Sequence, residues 1–210
     1  MHKYHKLLQN SVKLIAFFLI SFAIAACDSE KSQVYLGIQA NTKATAELTE
    51  DLLHSIGKRT KGNLMSIDIL KGESAQTIYS NSISKQTLQE LREKIDPNPN
   101  TPKMDIIPSS DRALVAGLQR FKDLARANPN QEFHAYILTP GTTDETTLEQ
   151  IKTICQELAS QTQGDRFHIY LLGLTEENRL KTVSALHPIR ANAYSAGQSF
   201  SEMQKLIRQF

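Results

Sequence analysis

Past residue 33 the chain alternates short, unbroken apolar runs with longer stretches whose apolar residues recur every three or four positions. The runs VYLGI (34–38), LMSIDIL (64–70), FHAYIL (133–138) and FHIYLL (167–172) predict strands, and a last strand is expected near 191–195. Strands without polar alternation are buried on both faces, as in a parallel sheet. Between them, residues 44–60 keep Ala44, Leu48, Leu52 and Ile56 in helical register. Helices are also expected over 111–127, 143–161 and 176–186, with a closing helix from 199. The polar run AQTIYSNSI (75–83) follows Gly72 and reads as an edge hairpin partner. A short helix is expected over 87–95, stopped by the exposed loop DPNPNTPK (96–103). Strands that alternate with helices imply right-handed crossovers. The predicted fold is α/β: a doubly wound, mainly parallel six-stranded sheet with helices on both faces, Rossmann-like, within one domain over 34–210.

The first 26 residues break this pattern and read as a targeting signal. Lys3, Lys6 and Lys13 stand in a stretch without acids, and LIAFFLISFAIAA (14–26) is a continuous apolar run. That run is short of the roughly 20 residues a spanning helix needs, and its layout is that of a secretory signal. It ends in Ile24, Ala25, Ala26 and Cys27, which resembles the lipobox of bacterial lipoproteins. The resemblance implies cleavage before Cys27, palmitate on Cys27, and a lipid anchor on the extracytoplasmic side of the cell envelope. The tether 28–33 (DSEKSQ) reaches roughly 20 Å, keeping the domain close to its membrane. Asp28 resembles an enteric inner-membrane retention signal, a rule that does not extend to other bacteria, so both membranes stay open.

Removal of the signal changes how the charge is read. The whole chain carries 24 Lys+Arg and 22 Asp+Glu. Without the three signal lysines, the remaining 184 residues carry a net charge of −1. A clustered basic face for nucleic acid is not expected. With Cys27 lipidated, Cys155 has no disulfide partner, and it shares the inner face of its helix with Leu148, Ile151 and Leu158. It reads as a buried apolar residue.

Other features suggest chemistry and carry little of it. His134 and His168 hold matching positions in near-duplicate strands, so a metal or pH-sensing pair is one reading. Both sit at strand starts, away from the crevice where ligands of such sheets bind, so a structural role is expected. His54 falls on the polar side of its helix, and His187 beside Pro188 reads as a loop residue. Ser82 and Lys85 match S-x-x-K, but the Ser-Asp-Asn and Lys-Thr-Gly companions are absent. No G-x-S-x-G, glycine-rich phosphate loop, H-E-x-x-H or C-x-x-C is present.

Taken in order, the loop after VYLGI, the PSSDRAL segment opening a helix, the strand ending LTPG and the later YLLGL strand resemble a von Willebrand factor type A (VWA) domain. That resemblance implies a divalent-cation site at the carboxyl ends of the strands. Its ligands would be Asp-x-Ser-x-Ser, a threonine before a central helix, and an aspartate after the fourth strand. Here those positions read Gln39, Asn41 and Lys43, then Ser109 or Ser110, then Pro140 between Thr139 and Gly141. Hard cations select oxygen donors with one or two carboxylates. Both carboxylates are missing, and a lysine about 4 Å from a divalent cation would cost several kcal/mol at intermediate dielectric. Asp111 and Asp144 suit helix N-termini better than metal ligation. The expectation is a metal-free, cofactor-free and non-catalytic module that recruits a protein partner through Gln39, Asn41, Lys43, Ser109, Ser110, Thr139, Thr143 and Asp144. A small-ligand receptor or enzyme using the same crevice, and residual cation binding, are the alternatives.

Overall fold

The computed structural model describes residues 32–39, 48–49, 51–56, 64–82, 84, 112–161, 166–187, 189–195, 204–205 and 207–208. The chain divides into Met1–Lys31 and Ser32–Phe210, and every described element lies in the second unit. The signal, Cys27, the 87–95 helix and the 96–103 loop lie outside the described residues. Among those residues no helix is long and apolar enough to cross a membrane.

Six strands form one sheet: β1 (Gln33–Ile38), β2 (Leu64–Lys71), β3 (Ser74–Ser82), β4 (Phe133–Leu138), β5 (Phe167–Leu174) and β6 (Arg190–Ser195). Their spatial order is β3-β2-β1-β4-β5-β6. Every neighbouring pair is parallel except β2 with β3, which is antiparallel. The sheet is therefore mixed, and its hairpin edge is the polar run after Gly72. That glycine has φ +56° in the turn. β1 lies at the centre with all six residues buried, which is why its sequence shows no alternation.

Three helices are resolved end to end: α1 (Ala113–Ala127), α2 (Glu145–Gln161) and α3 (Glu176–Ala185). Residues 51–56 are also helical. On one face of the sheet, Tyr35, Phe133, Ile137, Phe167 and Leu171 pack with Leu118 and Phe121 of α1 and with Ile151 and Leu158 of α2. Phe121 meets Phe133 and Phe167 edge-on, with centroids 5.8 Å away in each case. This geometry adds about 0.5–1.5 kcal/mol per pair beyond area burial. Cys155 sits in the same wall, and burial pushes its thiol up to about 12. On the other face, Val34, Leu36, Met65 and Ile67 pack against Leu52, Ile56 and Ile207.

Helix ends and a charged strap complete the frame. Thr175 caps α3, accepting the Asn178 N–H at 3.3 Å. The buried ammonium of Lys122 on α1 reaches Glu157 on α2 at 2.7 Å, and Arg126 joins the same carboxylate at 3.2 Å. The predicted strands and helices agree with these elements to within a few residues. α1 is capped by Arg112 without a side-chain bond, while Asp111 lies outside the described residues.

Candidate binding rim

β1 pairs with β2 on one side and β4 on the other, so the chain order reverses around it. The crevice of an open α/β sheet lies beyond the carboxyl ends of the strands at such a point. Gln39 and Thr139, the residues following β1 and β4, meet there. The Thr139 hydroxyl donates to the Gln39 side-chain carbonyl. Thr139 Oγ1 in turn accepts the Gly141 N–H at 3.1 Å. Both residues are only 4% exposed. The main chain repeats the tie, because Gln39 N–H donates to Leu138 O and Thr139 N–H to Leu172 O, each at 2.9 Å.

The turn Pro140–Asp144 is held from below by α3. Pro140 O accepts from Thr175 N–H at 3.1 Å and from Asn178 Nδ2 at 3.0 Å. Thr142 and Thr182 exchange two bonds: Thr142 N–H donates to Thr182 Oγ1 at 3.2 Å, and Thr182 Oγ1–H donates to Thr142 O at 3.1 Å. Gly141 has φ +79°, and an added Cβ would meet Leu174 Cδ2 at 2.8 Å and Thr182 Oγ1 at 2.9 Å. Only glycine fits that position without strain.

Asp144 has the capping role expected of it. Its Oδ2 accepts the Thr147 N–H at 2.8 Å at the entrance of α2. Hydrogen bonding from Thr147 holds its carboxyl below the usual range, with a smaller contribution from Arg112. Lys181, midway along α3, pairs with Glu145 at 2.7 Å, joining that helix to the entrance of α2 at the surface. Thr143 is half-buried, as is Pro140, and Asp144 is exposed. Asn41, Lys43, Ser109 and Ser110 lie outside the described residues.

Of the eight residues expected to contact a partner, four are described, and two of those, Gln39 and Thr139, are not at the surface. Gln39 and Thr139 are buried and bonded to each other, so they set the shape of the rim instead of touching what lies beyond it. The reason is local: each directly follows the buried carboxyl end of a central strand and continues its ladder. Tested against a hard divalent cation, the described donors do not fit. The oxygens of Gln39, Thr139 and Thr142 are neutral and already engaged, Pro140 offers only a carbonyl with two donors on it, and the one carboxylate of the turn, Asp144, caps α2.

Sequence reasoning missed Asn178, Thr182 and Gly141, whose roles depend on α3 packing under the turn. It also missed Asp68 on β2, which is fully buried in the LMSIDIL strand. Arg120 of α1 faces it, with Nε 3.5 Å from Oδ2. Burial, and next the charge of Asp68, raise the Tyr35 hydroxyl well above its ordinary pKa. A lone acid in an apolar strand was the available signal.

No family model and no curated protein matches the chain. Among solved structures, the SpRpn10 VWA domain is 11% identical with a TM-score of 0.54, covering 85% of this chain and 95% of that one. The fold is VWA-like. The N-terminal domain of TFIIH p34 aligns with this VWA-like chain at 15% identity and a TM-score of 0.51, over 87% of this chain and 99% of its own. Proximal thread matrix protein 1 from the mussel byssus is 12% identical with a TM-score of 0.48, and the chain spans 47% of its length. Identities this low bear on the fold alone.

Proposed function

We propose that this VWA-like protein is a lipid-anchored, extracytoplasmic binding module without catalytic activity, which recruits a protein partner through the rim around Pro140, Thr143 and Asp144 without a bound metal. The observation that carries the reading is the Gln39–Thr139–Gly141 bond chain, which ties the carboxyl ends of β1 and β4 together with neutral groups and fixes the turn that carries Pro140 and Thr143. Preorganised surfaces lose little conformational entropy on association, which favours binding.

The test is a photo-crosslinking amino acid at Thr143 in intact cells, with Lys152 on the exposed side of α2 as control. A discrete adduct to one protein at Thr143 and none at Lys152 is expected. Equal labelling at both positions, or none at Thr143, removes the reading. In parallel, Mg²⁺, Mn²⁺ and Ca²⁺ are expected to leave the melting temperature of the domain unchanged. A ligand bound only to the native state must raise it, so a large rise would restore the cation site.

A further inference from the structure

Three consecutive residues of α1 point in three directions. Successive side chains of a helix stand about 100° apart, so Arg120 and Lys122 leave α1 on opposite flanks of Phe121. Phe121 goes down into the sheet, edge-on to Phe133 and Phe167. On one flank the buried Lys122 ammonium holds Glu157 of α2 at 2.7 Å. On the other, Arg120 Nε lies 3.5 Å from Oδ2 of Asp68, a fully buried carboxylate on β2. Leu114, Leu118, Phe121 and Ala125 decide which face of α1 meets the sheet. An apolar stripe of the usual width, about 100°, still admits a range of rolls about the helix axis.

The sheet beneath does little to stop such a roll. Gly117, one turn before Phe121, lets α1 come close: an added Cβ would meet Leu70 Cδ1 at 2.9 Å and Tyr35 OH at 3.6 Å. Gly37, which lies beside Asp68 in the β1–β2 register, presents no side chain either. At this turn the helix rests on backbone and on the ends of Leu70 and Tyr35.

The charges, for their part, are poorly arranged for stability. Both Asp68 oxygens, Arg120 Nε and the hydroxyls of Tyr35 and Ser66 on the same face are buried without a hydrogen-bond partner among the described residues. A buried ion pair in that condition returns less than its desolvation cost, and well-packed apolar residues in its place are commonly neutral or stabilising. Separating the two charges is another matter, because it strands a carboxylate in the interior. The pair thus adds little to the depth of the native well and much to the steepness of its walls. The β2–β3 ladder shifts register at Ile67/Asp68, an irregularity of the kind that re-aims a side chain.

We propose that Asp68–Arg120 on one flank and Lys122–Glu157 on the other form an orientation lock that fixes the roll of α1, with a loss of stability on the Asp68 side. What the lock places is Arg112, where α1 begins. Arg112 is bonded to Glu73 in the hairpin turn, and its charge is one of the influences that hold the Asp144 carboxyl down at the entrance of α2. It stands about two turns before Arg120 on the same flank, so a roll that parts Arg120 from Asp68 also carries Arg112 away from the hairpin turn. Asp68 and Arg120 are positioning residues for that edge of the rim, whether or not the rim recruits a protein.

The test sets stability against orientation in the full chain in detergent micelles. Arg120→Met alone strands Asp68 and should lower the melting temperature by roughly 10 °C. Asp68→Val alone should lower it less, because the half-buried Arg120 can turn to solvent. Combining the two should restore the melting temperature to the parent value or above. Nitroxide labels at Asp123→Cys on the exposed side of α1 and at Leu180→Cys on α3 then report the roll through their distance distribution. A narrow distribution is expected with the ion pair present, and a broadened or displaced one in the Asp68→Val/Arg120→Met protein. If that protein melts well below the parent, the pair is an ordinary stabiliser. If it is as stable as the parent and keeps the parent's distance distribution, the apolar stripe alone sets the roll. Either result overturns the lock.

Discussion

Gly141 concentrates what the rim demands of a single residue. Its φ of +79° excludes a side chain on conformational grounds, and the Leu174 and Thr182 contacts exclude one on space. Gly141→Ala is expected to cost about 1–3 kcal/mol, the usual toll of a non-glycine residue held in a rare backbone region, with the added crowding on top. Gly72 is the internal control: φ is +56° but nothing lies within 4 Å of an added Cβ. Gly72→Ala should therefore lose only the backbone part, about 1–2 kcal/mol. Denaturant midpoints compare the two directly, and an equal loss would mean that the Leu174 and Thr182 contacts are slack. Individual residues were legible to different depths. Pro140 announces itself, because a proline where a carboxylate is expected offers no side-chain oxygen. The bond between Gln39 and Thr139 joins positions 100 residues apart, and nothing in either local sequence points to the other. Asp68 shows why: its neighbours along the strand are apolar, and its partner Arg120 stands on a helix whose exposed face is charged anyway.

Elements were legible where burial leaves a periodic signature. Four strands are mostly apolar runs because the sheet buries most of their residues on both faces, and the one expected to lie at the edge does so because its polar residues have only one neighbour to satisfy. The α1–α2 layer shows the same correspondence from the helix side. Leu148, Ile151, Cys155 and Leu158 recur at helical spacing and all are buried against the sheet. Helix starts were less legible, since capping depends on which oxygen finds which N–H. Asp144 was read correctly and Arg112 was not anticipated. The packing of α2 gives a test of its own. With its thiol pushed up to about 12 and enclosed in an apolar wall, Cys155 should resist a maleimide in the native state and react once the domain is unfolded. Rapid native labelling would show that α2 opens without global unfolding.

For the whole molecule, proton linkage separates the two ends of the sheet. His134 has a folded pKa below its ordinary 6.5, so as the pH falls the unfolded chain takes up the proton first. Stability then rises with pH between the folded value and about 6.5, and is lost as pH drops through that interval. Asp144 and Glu157 are depressed below 3.8 and 4.5, so their contributions are present above those values and disappear only in stronger acid. The melting temperature should fall from about pH 7 to about pH 5 and His134→Phe should flatten that step. Identical slopes for the two proteins would assign the step to another group. The position of β1 has a further consequence, one of timing. The strand at the centre of the sheet is the first element of the domain, and its register partner on one side, beginning at Phe133, lies 100 residues downstream of Gln33. Contacts so distant in sequence form slowly. Until β4 has been delivered, VYLGI has only β2 beside it, and its apolar surface is open to wrong partners. A sheet in this order is expected to grow from its hairpin edge inward, and the crevice that carries the rim cannot take shape before β4 joins β1.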